Sequence, residues 1–174
     1  MKPENSGGVS VRPAIRTDHA RVLDLVPRLR AFGAVPLRSA HDLDAGECRT
    51  VNRYFESPPH GAQLWVAETS EGTVEGAVYA ESVADYFTQE RHGHVGILMV
   101  SEEAEGRGIA RLLLDVVENW CRVSGFRLLT LNVFAGNSRA RSFYERAAFR
   151  PDVLRYVKSL HTAAGNQMAP NTFC

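Results

Sequence analysis

Residues 95–123 constrain the fold more than any other stretch of this chain. An apolar run, 95–100, leads into Ser101-Glu102-Glu103-Ala104-Glu105 and then Gly106-Arg107-Gly108. A long pattern follows in which Ile109, Leu112, Leu113, Val116, Val117 and Trp120 are apolar. Offsets of three, four, seven, eight and eleven place these side chains on one stripe of a helix, whereas the preceding run reads as a buried strand. A strand that becomes a helix through two glycines leaves the first helical N–H groups unpaired at the positive end of the helix dipole. Such a place favours phosphate oxygens. The loop lacks the Lys-Ser/Thr of a triphosphate loop and the three-glycine spacing of a dinucleotide fold, which weakens a nucleotide-binding reading.

Around this unit the patterning predicts an α/β domain. Residues 9–15 read as a strand, and Thr17 as the N-cap of a helix carrying Val22, Leu25, Val26 and Leu29, kinked or broken at Pro27. A second helix is expected over 41–55, ended by Pro58-Pro59. Strands over 62–69 and 73–83 are joined by a tight turn at 70–72, and a polar connection over 85–93 leads to the strand ending at Val100. After the 109–123 helix, with Gly125 as its stop, come a strand over 126–134, a short helix capped by Asn137, and a last strand over 153–160. Adjacent strands imply antiparallel pairing, and the crossover helix implies one parallel pair. The expected architecture is a mixed, mostly antiparallel sheet of six to seven strands flanked by about four helices. Residues 1–8 and 161–174 read as tails around one domain over 9–160.

Composition narrows the function classes. Twenty basic and twenty acidic residues cancel in 174, so a strongly basic nucleic-acid surface is not expected. No run is long and apolar enough for a membrane span, and the start of the sequence lacks a signal-like segment. The three cysteines, Cys48, Cys121 and Cys174, have no metal-ligand spacing, which fits a reducing, cytoplasmic setting and no metal. Cys121 falls beside the apolar stripe with no activating neighbour, so a covalent cysteine route is not expected.

Two motifs together resemble the GNAT (GCN5-related N-acetyltransferase) superfamily over roughly 9–160. The first is Glu105-Gly106-Arg107-Gly108-Ile109-Ala110, in the place of a Gln/Arg-x-x-Gly-x-Gly/Ala loop. The second is Asn137-Ser138-Arg139-Ala140-Arg141-Ser142-Phe143-Tyr144-Glu145-Arg146-Ala147-Ala148-Phe149, an Asn, a helix with an aromatic pair, and a closing Phe. The resemblance implies the GNAT fold, with the sheet splayed between its fourth and fifth strands. It implies acetyl-CoA as cosubstrate and direct acetyl transfer to a primary amine of a small molecule or peptide. A binding module that holds acyl-CoA without catalysis is the alternative. Many relatives dimerise by pairing the last strand across a two-fold axis, so a homodimer is expected on the same ground.

Site residues follow from the resemblance position by position. The backbone of Leu98, Met99 and Val100 would bind the pantetheine arm. Glu105, Gly106, Arg107, Gly108, Ile109, Ala110 and Arg111 would surround the pyrophosphate, and Asn132, Asn137, Ala140 and Tyr144 would line the other side. Tyr144 would protonate the departing thiolate, a role its ordinary pKa near 10 allows at neutral pH. Glu105 replaces the usual Gln or Arg. Two unit charges about 8 Å apart in water repel by only about 0.5 kcal/mol, a cost Arg107, Arg111 and Arg141 are placed to offset. Ala148 replaces a Gly and asks the helix to end without an easy left-handed residue.

A base is also needed, because deprotonating an amine of pKa about 10.4 at pH 7 costs about 4.6 kcal/mol. Gly96 stands where the family often has a strand-four Glu. His94, two residues earlier on the same expected face, is the candidate base, with His92, Glu90 and Glu81 nearby. Asp42, Asp44, Glu47, Glu81, Asp85 and Glu90 are candidates to attract a cationic amine or, more simply, an acidic surface.

Overall fold

The computed structural model of the protein describes residues 8–160. Strands β1 (Val9–Pro13), β2 (Ala62–Thr69), β3 (Val74–Ala84), β4 (Arg91–Val100) and β5 (Leu129–Leu131) form one sheet in the order β1-β2-β3-β4-β5. Helices α1 (His19–Leu25) and α2 (Ala40–Glu56) lie between β1 and β2, α3 (Ile109–Val123) links β4 to β5, and α4 (Ser138–Arg146) follows. The first three pairings are antiparallel and β4–β5 is parallel, as the crossover helix requires.

The helices cover both faces. On one face α3 sets Ile109, Leu113, Leu114, Val117 and Cys121 against Trp65, Val78, Ala80 and Val95. On the other, Val22, Leu25, Val26 and Val51 close over Leu64, Val66, Ala77, Tyr79, Ile97 and Met99. The α3 stripe is therefore wider than the spacing implied, taking in Leu114 and Cys121. Glu118 and Arg122 pair on its wet side at 2.8 Å.

Local chemistry explains where the expectations and the chain part. Thr17 does not cap a helix. The Asp18 carboxylate accepts from the Ile15 N–H at 2.8 Å and closes a 3-10 turn, held in turn by Arg12. The break at Pro27 is real: the chain continues as a 3-10 stretch over Val26–Arg30. Ser39 caps α2 in a reciprocal pair with Asp42, whose N–H donates to Ser39 Oγ at 3.1 Å.

Among the described residues the sheet has five strands, not six to seven. The strand expected over 126–134 shrinks to Leu129–Leu131, and 153–160 forms none, with Val153, Leu154, Tyr156 and Leu160 all exposed. An isolated apolar strand needs a ladder to join, and β5 is too short to offer one. The edge on which a homodimer was to be built is therefore not formed.

Two irregularities shape β4. Its pairing with β3 slips at Tyr79/Ala80, which leave Gly96 as an extra residue between Val95 and Ile97. This bulge turns Val95 towards α3 and Ile97 towards α1 and α2, although they are two residues apart. Its pairing with β5 lasts three residues, Gly93↔Leu129, His94↔Thr130 and Val95↔Leu131. Beyond Val95 the two strands part, and 96–100 has no ladder partner on that side among the described residues.

Candidate active site

The open edge of β4 runs into the 101–108 loop. Ser101 is buried, donates its hydroxyl to the Glu75 carboxylate and its N–H to Glu75 O at 2.8 Å, and so fixes where the loop begins. Gly106 and Gly108 both have positive φ, 76° and 80°, a conformation that favours glycine. Gly108 is the N-cap of α3 and supplies no capping side chain. The N–H groups of Gly106, Gly108, Ile109 and Ala110 consequently have no acceptor among the described residues, and Gly106, Arg107 and Gly108 are exposed. Four open amides at a helix start, two of them on left-handed residues, match the donor set a pyrophosphate needs.

Glu105 is neutralised by different partners from those its sequence neighbours offered. Its carboxylate accepts from Arg28 at 2.6 Å and from Arg139 at 2.5 Å. The Arg139 bond first, and Arg28 with it, hold its pKa below the usual carboxylate range. Arg111 is engaged along α3 with Asp115 at 2.6 Å and Glu118 at 3.4 Å, and Arg141 donates to Ala135 O at 3.3 Å. The segment after α1 thus reaches the loop through Arg28 and the end of the β5 segment through Phe32, which stacks on Phe134 at 5.7 Å. No local pattern marked Arg28 or Phe32, because both contacts are tertiary.

The side chains of Leu98 and Val100 are half-buried against the α3 core, and Met99 is buried on the opposite face. Only their backbones face the gap. Asn137 caps α4, its Oδ1 accepting from the Ala140 N–H at 3.0 Å, so that amide is spoken for. On α4, Phe143 and Ala147 pack against the core and Tyr144 lies outside it, edge-on to Phe143 and Phe149 at 5.2 and 5.8 Å. Burial pushes the Tyr144 hydroxyl up to about 12, which keeps it protonated at neutral pH.

At the other end of the gap, His94 Nδ1 lies 2.9 Å from Thr130 Oγ1 and its Nε2 lies 3.5 Å from Asn132 Nδ2. Burial first, opposed by Glu81 and reinforced by His92, holds His94 below its ordinary 6.5. Glu81 stands opposite it in the ladder, accepting from Tyr79 Oη at 3.1 Å with Arg53 at 3.9 Å. A Cβ at Gly96 would meet Tyr79 Cδ1 at 3.1 Å, so the buried Tyr79 ring fills the room a glutamate there would need.

Most other acidic candidates hold the fold. Asp42 completes the α2 capping box by accepting from the Ser39 N–H, Asp44 pairs with Arg30 at 2.8 Å, Asp85 closes the β3–β4 turn onto Phe87 and Thr88, and Glu90 lies 4.0 Å from Arg127. Glu47 is pushed up by burial. The buried Cys121 thiol is raised to about 11 and is a core side chain. Among the described residues no three His, Cys, Asp or Glu side chains are placed to hold a metal ion, and no helix is long and apolar enough to cross a membrane.

The sequence profile of the acetyltransferase (GNAT) family matches residues 35–149. The chain is similar to a mycothiol acetyltransferase of Beutenbergia cavernae, 29% identical over 146 residues, which cover 83% of this chain and 46% of the relative. It is also similar to one of Propionibacterium freudenreichii, 32% identical over 139 residues, 78% of this chain and 43% of the relative. The chain thus spans less than half the length of these relatives. Its fold is that of an acetyl transferase of Pyrococcus furiosus described in its structure as putative, with a TM-score of 0.70 at 18% identity, covering 87% of this chain and 99% of that one.

Proposed function

The chain belongs to the acetyltransferase (GNAT) family, and on that premise we propose that it moves an acetyl group directly to a primary amine of a small molecule or peptide. Acetyltransferases of this family take that group from acetyl-CoA, which supplies it as an activated thioester. The observation that carries the proposal is the junction of two features. Among the described residues the β4 edge has no ladder partner beyond Val95, over 96–100, and it ends in a loop with four unused N–H donors.

The placement above supports the following roles. The Gly106, Gly108, Ile109 and Ala110 amides hold the pyrophosphate, and exposed Arg107 adds positive charge. Backbone groups of Leu98, Met99 and Val100 replace the missing β5 ladder with bonds to the pantetheine arm, and a β4 N–H polarises the thioester carbonyl. Asn132 and Asn137 face the arm from the β5–α4 side. His94 is neutral at pH 7 and takes a proton from the ammonium form of the acceptor, helped by Glu81 across the ladder. Tyr144 donates its phenolic proton to the departing thiolate, a general-acid step of the kind that contributes roughly 10²–10⁴-fold.

The relatives' name makes acceptors related to mycothiol the first to try. A reducing, cytoplasmic setting belongs to the same proposal and fits free Cys48 and Cys121. The homodimer does not, because its strand is absent from the described residues. A catalytically silent acyl-CoA-binding module remains the second reading, favoured by the Tyr79 ring that closes Gly96 to a glutamate. A thiol-release screen with acetyl-CoA over diverse amines separates the two. Turnover on any amine, sharply reduced in Tyr144→Phe, supports the enzyme. Tight CoA binding with no turnover across the panel supports the module.

A further inference from the structure

We propose that Thr130 is a positioning residue that holds His94 in the Nδ1–H tautomer, leaving the Nε2 lone pair as the base; this rests on the transferase reading. Thr130 sits opposite His94 in the short β4–β5 ladder. Its Oγ1 is 2.9 Å from His94 Nδ1, 3.1 Å from His92 Nε2 and 3.4 Å from Gly93 O. A hydroxyl has one proton to give and two lone pairs. Gly93 O can only accept, so giving that proton to Gly93 requires both imidazoles to donate to Thr130.

Two observations select this arrangement over one in which Thr130 donates to His94. Asn132 presents Nδ2, a donor, to His94 Nε2 at 3.5 Å, a long contact that favours an accepting Nε2 and a proton on Nδ1 without fixing either. His92 is 8% exposed and its Nδ1 has no partner. A bare lone pair there costs less than an orphaned N–H, so His92 keeps its proton on Nε2, facing Thr130. The bond one imidazole nitrogen makes sets the state of the other.

The groups that face this pair are Glu81 and Tyr79 from β3, Arg53 from α2, Asp85 from the turn beside His92, and Asn132 from the β5 side. None offers His94 Nδ1 another acceptor among the described residues. Thr130 is the group that decides the tautomer, and it contacts neither a substrate nor the reacting atoms itself.

The test reads the tautomer directly by ¹⁵N-edited NMR of the whole chain, together with kinetics of wild type, Thr130→Val and Thr130→Ser. The expected result is an Nδ1–H His94 in wild type and in Thr130→Ser. Thr130→Val should give a mixed or Nε2–H state, with kcat down about tenfold and KM for acetyl-CoA unchanged. An Nε2–H His94 in wild type overturns the proposal, as does a Thr130→Val chain with unaltered tautomer and kcat. If no amine is turned over, the transferase reading fails, and the wild-type tautomer still judges Thr130. Should Thr130→Val fail to fold, the wild-type spectrum carries the decision.

Discussion

Glu105 Oε2 lies 2.5 Å from Arg139 Nη1, a contact that joins the β4–α3 loop to the first turn of α4. With Arg28 on its other oxygen at 2.6 Å, this carboxylate occupies two arginines beside four open amides. A diphosphate bound there competes for the same arginines. Replacing Glu105 by Gln removes one negative charge and releases Arg139, while Arg28 keeps Glu102 at 3.0 Å, so CoA affinity should rise about threefold at low salt. The gain should fade above roughly 0.5 M salt, where screening shortens the reach of exposed charges to a few ångströms. Titration calorimetry at two ionic strengths measures it; weaker binding at low salt would mean the carboxylate is needed to shape the loop.

Ala148 carries a left-handed φ of 67°. The Phe149 N–H donates to Tyr144 O at 2.9 Å and the Ala148 N–H to Glu145 O at 3.0 Å, the bond pair of a Schellman C-cap. The helix therefore ends on a left-handed residue after all, with alanine doing what glycine does at less cost. Ala148→Gly should stabilise the chain by about 1 kcal/mol, roughly 2–4 °C in Tm. Thermal denaturation reads this, and an unchanged or lower Tm would contradict the strain.

Gly93 and Gly96 both lack a side chain because something else fills the space, but not equally. A Cβ at Gly93 would overlap Cys121 Sγ in the core and crowd Leu129 Cδ1 at 3.2 Å. At Gly96 it would press on the Tyr79 ring at 3.1 Å, where a few tenths of an ångström of yielding suffice. Gly93→Ala should cost about 2–3 kcal/mol, in the upper part of the overpacking range, and Gly96→Ala about 1 kcal/mol. Denaturant unfolding ranks them, and a reversed order would refute the packing argument.

The lowered His94 pKa fixes the sign of two pH effects. Activity should rise with pH through a midpoint below 6.5 and then level as far as this group controls it. On acidification the unfolded chain takes up the His94 proton at about 6.5, before the folded chain does, so stability falls from there down to the folded value. His94→Gln should flatten this part of the stability profile and remove the acid limb of kcat. A kcat profile indifferent to the substitution would exclude His94 as the base.

Long-period patterns were legible in the sequence and tertiary pairings were not. The stripe from Ile109 to Trp120 placed α3, and the two glycines placed the loop, because both are local consequences of spacing. The Glu105 partners were misjudged, since Arg107, Arg111 and Arg141 are close in sequence whereas Arg28 is brought in by the fold. Residue type and strand spacing single out His94 as a candidate; Thr130 carries no such signal, because a hydroxyl becomes informative only when two imidazoles meet it. The last strand failed because apolar residues such as Val153 and Leu154 mark a strand only where a ladder exists to receive them.

Amide hydrogen exchange with and without CoA tests the central claim most directly. CoA should slow exchange at Gly106, Gly108, Ile109 and Ala110 and along 96–100 of β4, the amides that lack partners in the free chain or face the gap. Protection at both places together is the predicted result. No protection at saturating CoA, or protection confined to other elements, would contradict the account.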